Sequence, residues 1–576
     1  MPDCGTVTHS APLSHPARAV RREATLAGLA GIALACLLRL PVLRNPRTGV
    51  PAGLGDPLLQ TWQLAWGRHA LLTQPLSPFD SNTFWPLERS LAFSDSLLGY
   101  APLGLLFGAG IGNAVLRYNV LFLLTYALAF TGTYALVRQL GASRTAGAVA
   151  GLAFAYAPWH FAQEGHLHIL SSGGIPLALA LLARGHGYGR PGPQRPALIL
   201  AGWVVAAWQV TLGFGLGLQF GYLLGVLCLI YGTFYVLAWL RRRNSGPSRA
   251  MVAAEAGGVA LFLLVAVAFA LPYLAVAEAN PEARRTVAEL ELFSPPAQAF
   301  ITAPTASFLY GDRQQGLRAG LSFPAEMTLA VGGTLVVLAV GGVVAGRWPL
   351  RRRLSLAAAV VVLLVLALGT QAPGGGRWTY LLLFEYAPGW DGIRTPGRLV
   401  VTMTLALALL AAAGLDRLRA AVGGPRQAQV AGVLAFALVG LETLGTTPVT
   451  PAPPLPAALD EARGPVLVLP TSSFDDLRAM YFSSAGLYPL VNGSSGFAPT
   501  GLGALRQSVA PFPDPASVQL LRQQGVRQVV LLPAYAAGTA WEGAENRPVD
   551  SLPLTRRVVG DAVVYELAPL NEPPHR

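Results

Sequence analysis

The chain has 576 residues, 12% of them charged, a mean hydropathy of +0.48 and a formal net charge of +12 carried entirely by arginine. Soluble globular proteins carry roughly 25% charged residues, so this composition excludes an ordinary soluble enzyme. The positive charge lies in short segments between apolar runs, which is the pattern of cytoplasmic loops in a membrane protein and argues against a nucleic-acid partner.

The polar segment 1–23 holds Cys4, Arg18, Arg21 and Arg22 and has no clear small-residue cleavage site after it. It is read as a cytoplasmic tail before a retained first span. Eleven spans are predicted, at 24–43, 118–138, 145–160, 168–184, 197–215, 217–240, 251–276, 325–346, 354–371, 398–415 and 428–447. Each approaches the roughly 20 residues that cross a bilayer as helix. The fold class is therefore an α-helical polytopic membrane protein. With the N-terminus inside, "RQLGASR" (138–144), "RGHGYGRPGPQR" (184–195), "RRRNSGPSR" (241–249), "RWPLRRR" (347–353) and "DRLRAAVGGPR" (416–426) all fall on the cytoplasmic side. Segment 97–110 is apolar but short and contains Pro102. As a full span it would turn every arginine loop outward, so it is read as interfacial or re-entrant. Of the three cysteines, Cys36 and Cys228 lie in apolar spans, and no pair suggests a disulfide or a zinc site.

This topology divides the chain into the tail, a transmembrane domain over 24–447 with external loops 44–117, 276–324 and 372–397, and an extracytoplasmic region over 448–576. The short loop 160–167 is also external. A Pro-rich linker, "TTPVTPAPPLP" (446–456), precedes the last region. A strand is predicted in "GPVLVLP" (464–470), a helix and a strand in "SVQLLRQQGVRQVVLLP" (517–533), and a hairpin turning at Gly560–Asp561 in "RRVVGDAVVYEL" (556–567). These elements make a small α/β domain in which no phosphate loop or catalytic triad stands out.

The first external loop contains "GDPLLQTWQLAW" (55–66). A helix from Pro57 to about Leu72 carries Trp62 and Trp66 on one face and Gln60 and Gln63 on another, the pattern of an amphipathic helix at the membrane interface. Asp56 before Pro57 also fits a helix start, because Asp is a favoured N-cap and Pro a favoured first helical residue.

Together with "FDSNTFWPLERSLAFSDSLL" (79–98), the run "LRYNVLFLLTYALAFTGTYALVRQLGASRTAGAVAGLAFAYAPWHFAQEGHLHIL" (116–170), "IRTPGRLVV" (393–401) and "LVNGSSGF" (490–497), this loop resembles the GT-C superfamily of membrane glycosyltransferases, in particular the uncharacterised bacterial YfhO-like families. The resemblance covers most of the chain through the order of its elements. It implies a GT-C-like transmembrane fold in a bacterial cytoplasmic membrane. It also implies a sugar donor on polyprenyl phosphate, an external glycan, lipid or protein acceptor, and an external-loop carboxylate, here Asp56, that accepts the acceptor's hydroxyl proton in an inverting transfer.

Other groups are candidates by residue type. Asp80 is a second catalytic carboxylate, since paired carboxylates flank many scissile glycosidic bonds, or the cap of the "DSN" turn. Asp95 is a substrate contact or the cap of the re-entrant segment. "QEGHLH" (163–168) places Glu164, His166 and His168 together. In an extended strand the two imidazoles would point the same way. Imidazole with carboxylate suits a divalent metal, or the three line a wet cavity that holds donor phosphate or sugar. Arg394 and Arg398 suit phosphate oxygens or interfacial snorkelling. No cofactor is otherwise implied. Two alternatives to an enzyme are a lipid-linked-glycan flippase and a cell-envelope scaffold. A flippase calls for polar residues spread through several spans, whereas the polarity here collects on one side.

Overall fold

The computed structural model describes residues 15–570 apart from 191, 243–247 and 283. Cys4 and part of the arginine loop 241–249 lie outside the described residues. The protein is mostly helical, at 63%. Helices His15–Leu38, Ile111–Gln139, Arg144–Ala155, Gly174–Gly185, Pro196–Leu212, Phe214–Arg242, Arg249–Ala279, Gly333–Ala345, Leu350–Ala367, Val400–Ala421 and Pro425–Glu442 occupy the apolar stretches, with shifted ends. Among the described residues, five stretches are long and apolar enough to cross a membrane: Ile111–Gln139, Leu167–Gly185, Phe214–Phe234, Arg249–Ala279 and Pro396–Ala421.

Three local features depart from a plain reading of hydropathy. The first helix stops at Leu38, and a short helix Leu40–Arg44 with Pro41 in its first turn follows. Proline has no N–H to continue the ladder and its ring clashes with the preceding turn. The stretch 325–346 is helical in its apolar part only from Gly333. Before that, Leu329 and Ala330 donate to the carbonyls of Ala299 and Thr302, and Ala330 accepts from the Trp159 amide. Segment 97–110 contains one 3-10 turn and the four-residue helix Ala101–Gly104, far below the roughly 20 residues of a crossing helix.

Val400–Ala421 is the most enclosed of the long helices, 83% buried over its apolar window. Gly342 and Gly414 let it approach Gly333–Ala345 so closely that a Cβ at either position would strike the partner's backbone. Small residues at helix crossings serve this purpose where lipid offers no hydrophobic drive.

The loop region 44–117 and the C-terminal region are joined by backbone pairing. Strand β1 (Gly49–Pro51) runs antiparallel to β2 (Val449–Pro451), so the Pro-rich linker is in part a strand. A four-stranded sheet follows in the order β3 (Val466–Leu469), β4 (Gln528–Leu531), β6 (Ala562–Leu567), β5 (Leu554–Val559). β3 and β4 are parallel and the other pairs antiparallel. The predicted strands and the β5–β6 hairpin are formed, with Gly560 at a positive φ of 62° in the turn. The Phe84 and Trp85 amides donate to the carbonyls of Asn492 and Leu490, and the Phe497 amide to that of Phe93. "LVNGSSGF" is thereby stitched to the loop region 79–98.

Over Pro57–Gly67 the Asp56–Thr73 helix is enclosed by protein on every face, so it has no open amphipathic face there. Trp62, Trp66, Gln60 and Gln63 are all buried. Both indoles are bonded within the protein, Trp62 Nε1 to Asn82 Oδ1 and Trp66 Nε1 to the Pro78 carbonyl, each at 2.9 Å. Asn82 in turn donates to Ser483 Oγ and the Tyr488 carbonyl. The C-terminal region roofs the tryptophan face, and the opposite, glutamine face looks inward.

Candidate active site

The inward face of that helix is one wall of a polar cluster. Asp56 and Gln60 are four residues apart and so share a face. Asp56 makes no capping bond; Gly55 is the residue before the helix, and Pro57 fills its first turn. Its carboxylate turns instead to His166, with Oδ2 2.9 Å from Nε2. Placement in the first helical turn also sets the anion against the positive end of the helix dipole.

The histidine-bearing segment is a turn and a short helix rather than a strand. The His166 amide donates to the Gln163 carbonyl, and Leu167–Leu170 follows as one helical turn. The extended geometry expected for "GHLH" does not occur, yet the two rings lie with centroids 5.7 Å apart. Gln60 fixes the turn from across the site: its Oε1 accepts from the Leu167 amide at 2.9 Å, and its Nε2 lies 3.3 Å from His168 Nδ1. Gly213 allows the approach from the other side, because a Cβ there would press on His168 Cβ at 3.1 Å.

His168 Nε2 faces Asp95 Oδ2 at 3.6 Å and Arg398 Nη1 at 3.4 Å. Asp95 Oδ1 accepts from the Gly215 amide at 3.3 Å, so this carboxylate meets the start of the Phe214–Arg242 helix and not its own short segment. Arg398 forms a two-pronged pair with Glu326, Nη2 to Oε1 at 2.6 Å and Nε to Oε2 at 3.2 Å. Gln163 Nε2 adds a third bond to Glu326, at 3.1 Å, and His166 Nε2 stands 3.9 Å from Oε1.

Electrostatics keep the two central carboxylates ionised. Burial pushes the Asp56 carboxyl up. The His166 hydrogen bond and the charges of His166, His168 and Arg398 outweigh it and hold the group below the usual range. Glu326 lies ahead of the Gly333–Ala345 helix. Burial again raises it, and Arg398, His166 and Gln163 bring it down to about 2.

Of the residues singled out from the sequence, Asp56, Asp95, His166, His168 and Arg398 converge. Three others do not join them. Glu164 is sealed away: it pairs with Arg39 at 2.9 Å, both side chains 1% exposed, and accepts from Thr447 Oγ1 at 2.9 Å. Rings of Tyr126, Phe161 and Tyr156 enclose that guanidinium at 4.6, 4.8 and 5.5 Å. Asp80 closes a turn through the Arg89 amide at 2.8 Å. Arg394 is bound by Glu289 at 2.8 Å over the Phe293 ring, 38% exposed. Glu326, Gln60 and Gln163 were missed as site residues. Glu326 had a visible signal, as one of three acidic residues inside the predicted apolar spans, beside Glu255 and Glu442. Among the described residues, no group of three or more His, Cys, Asp and Glu side chains is arranged to hold a metal ion.

The architecture is that of a multi-pass membrane protein with a GT-C-type fold. Among solved structures it is similar to the arabinofuranosyltransferase AftD from mycobacteria, with a TM-score of 0.57 at 15% identity over 96% of this chain and 40% of that one. This chain thus spans about two fifths of the length of AftD. Weaker likenesses are to the oligosaccharyltransferase of Archaeoglobus fulgidus (TM-score 0.43, 13% identity, 88% of this chain and 68% of that one) and to ArnT from Cupriavidus metallidurans (0.32, 14%, 96% and 98%). No protein-family model matches the chain, and no curated protein matches it by sequence.

Proposed function

We propose that the protein is a membrane glycosyltransferase that moves a sugar from a polyprenyl-phosphate donor to an extracytoplasmic glycan, lipid or protein acceptor. The observation that carries the reading is the Asp56–His166 contact at 2.9 Å, set beside Arg398 within a GT-C-type fold. In the reaction the acceptor hydroxyl oxygen attacks the anomeric carbon, and the bond from that carbon to the phosphate oxygen breaks. Polyprenyl phosphate leaves, and the hydroxyl proton passes to an Asp56 oxygen. Inversion at the anomeric carbon follows from a single displacement. Arg398, and Arg394 across the same outer face, supply charge-assisted hydrogen bonds to the leaving phosphate. His166 orients the Asp56 carboxylate through the bond already in place.

The reading includes eleven spans, a cytoplasmic N-terminus and an extracytoplasmic C-terminal region in a bacterial cytoplasmic membrane. The one-sided arginine loops support that orientation. Purified full-length protein in proteoliposomes, offered a panel of undecaprenyl-phosphate monosaccharides, should release undecaprenyl phosphate from at least one of them. The Asp56→Asn variant should not. Equal release by the variant would remove Asp56 from the chemistry.

A further inference from the structure

At the end of the bundle away from the His166 cluster, a crevice of about 1010 Å³ opens between the His15–Leu38, Ile111–Gln139, Arg144–Ala155 and Pro425–Glu442 helices. Arg18 stands about 30 Å from Leu38 along the first helix, at a rise of ~1.5 Å per residue, so the basic end of the crevice is far from Arg39, which pairs with Glu164 beside the His166 turn.

The walls have one consistent polarity. Along the first helix Arg18, Arg22, Leu26 and Ala30 recur every fourth residue on one face and all line the crevice. That face therefore passes from guanidinium to apolar within a few turns. The facing helix passes from the uncharged polar Gln429 to Val433 and Phe436. Leu26 and Val433 are 56% and 61% exposed, so the apolar part is open to its surroundings and unfilled by protein. Glu23 at the mouth is already committed, to Arg138 at 2.5 Å, Arg144 at 3.0 Å and Tyr134 Oη at 3.0 Å. Among the described residues no carboxylate pairs with Arg18 or Arg22.

We propose that this crevice is a binding site for an anionic diacyl phospholipid. The phosphate lies between Arg18 and Arg22, and an acyl chain runs along Leu26, Val433 and Phe436. An amphiphile matches a wall that is basic at one end and apolar at the other. Basic pockets between membrane helices hold anionic headgroups by this logic. The site is separate from the proposed transfer chemistry and does not depend on it.

The test is native mass spectrometry of the full-length protein from micelles doped with equal amounts of phosphatidylglycerol and phosphatidylcholine. Phosphatidylglycerol should be retained at least about tenfold over phosphatidylcholine. The Arg18→Gln/Arg22→Gln pair should lower that retention by at least about tenfold, given roughly 1 kcal/mol per basic residue near a headgroup. The Arg18→Lys/Arg22→Lys pair should keep most of it. Val433→Trp, which fills the apolar end and leaves the arginines intact, should also abolish it. Should the glutamine pair unfold, the lysine pair and Val433→Trp decide the matter. Equal retention of the two lipids, indifference to Val433→Trp, or displacement by free glycerol phosphate would each overturn the proposal. The last would assign the arginines to a soluble phosphate.

Discussion

His166 Nε2 donates to Asp56 Oδ2 across 2.9 Å, joining the first turn of the Asp56–Thr73 helix to a turn more than a hundred residues away in the chain. The same carboxylate makes no bond to its own helix. Capping, one of the two roles that local sequence leaves open, is thereby set aside.

Asp56→Asn is expected to fold normally and to lower sugar transfer by at least about 100-fold, the lower range for a general base. Asp56→Ala should cost more, about 1–3 kcal/mol, because the bond to His166 and the favourable charge at the helix start are lost, although no capping bond is. Thermal unfolding beside a transfer assay checks both. Transfer close to that of the unaltered protein in Asp56→Asn would refute the assignment.

Arg398 and Arg394 should part company. Arg398→Ala leaves Glu326 buried without its ionic partner, and the expected loss of stability is about 3–5 kcal/mol. Adding Glu326→Gln should restore much of it. Arg394 is partly exposed, so Arg394→Ala should cost no more than about 1 kcal/mol while weakening donor binding. A double-mutant cycle on unfolding, with donor binding measured in parallel, reads these effects.

Asp80→Asn should leave transfer within about twofold of the unaltered protein, because its oxygen serves the Arg89 amide and an amide oxygen accepts the same bond. A fall as large as that in Asp56→Asn would return Asp80 to the chemistry.

Glu326 makes stability depend on pH in a fixed direction. Its carboxyl sits at about 2 when folded, below the roughly 4.3 of an unfolded glutamate. The stabilisation is therefore complete above about pH 5 and falls away as pH drops toward 2. Melting temperature measured from pH 7 to pH 3 should decline, and Glu326→Gln should flatten that decline.

Orientation is open to direct labelling. In a cysteine-free background, Gly423→Cys in the exposed turn between Val400–Ala421 and Pro425–Glu442 should react only with reagent on the cytoplasmic side. Labelling from outside would invert the proposed topology.

The sequence alone was enough for the helical membrane class, for where the apolar helices fall, and for the β5–β6 hairpin. Each rests on local signals: apolar runs near bilayer length, and turn residues between alternating strands. It also singled out Asp56, Asp95, His166, His168 and Arg398, because ionisable groups among apolar segments are few. Only the tertiary structure decided what each of them meets. Glu164 and His166 are two residues apart, yet one is locked to Arg39 in a ring of aromatics and the other faces Asp56. Glu326 passed as part of an apolar span until Arg398 and Gln163 were seen to close on it. The tryptophans read as membrane anchors until Asn82 and the C-terminal region covered them. A carboxylate's role is set by the charge and burial around it, and those come from residues brought together across hundreds of positions.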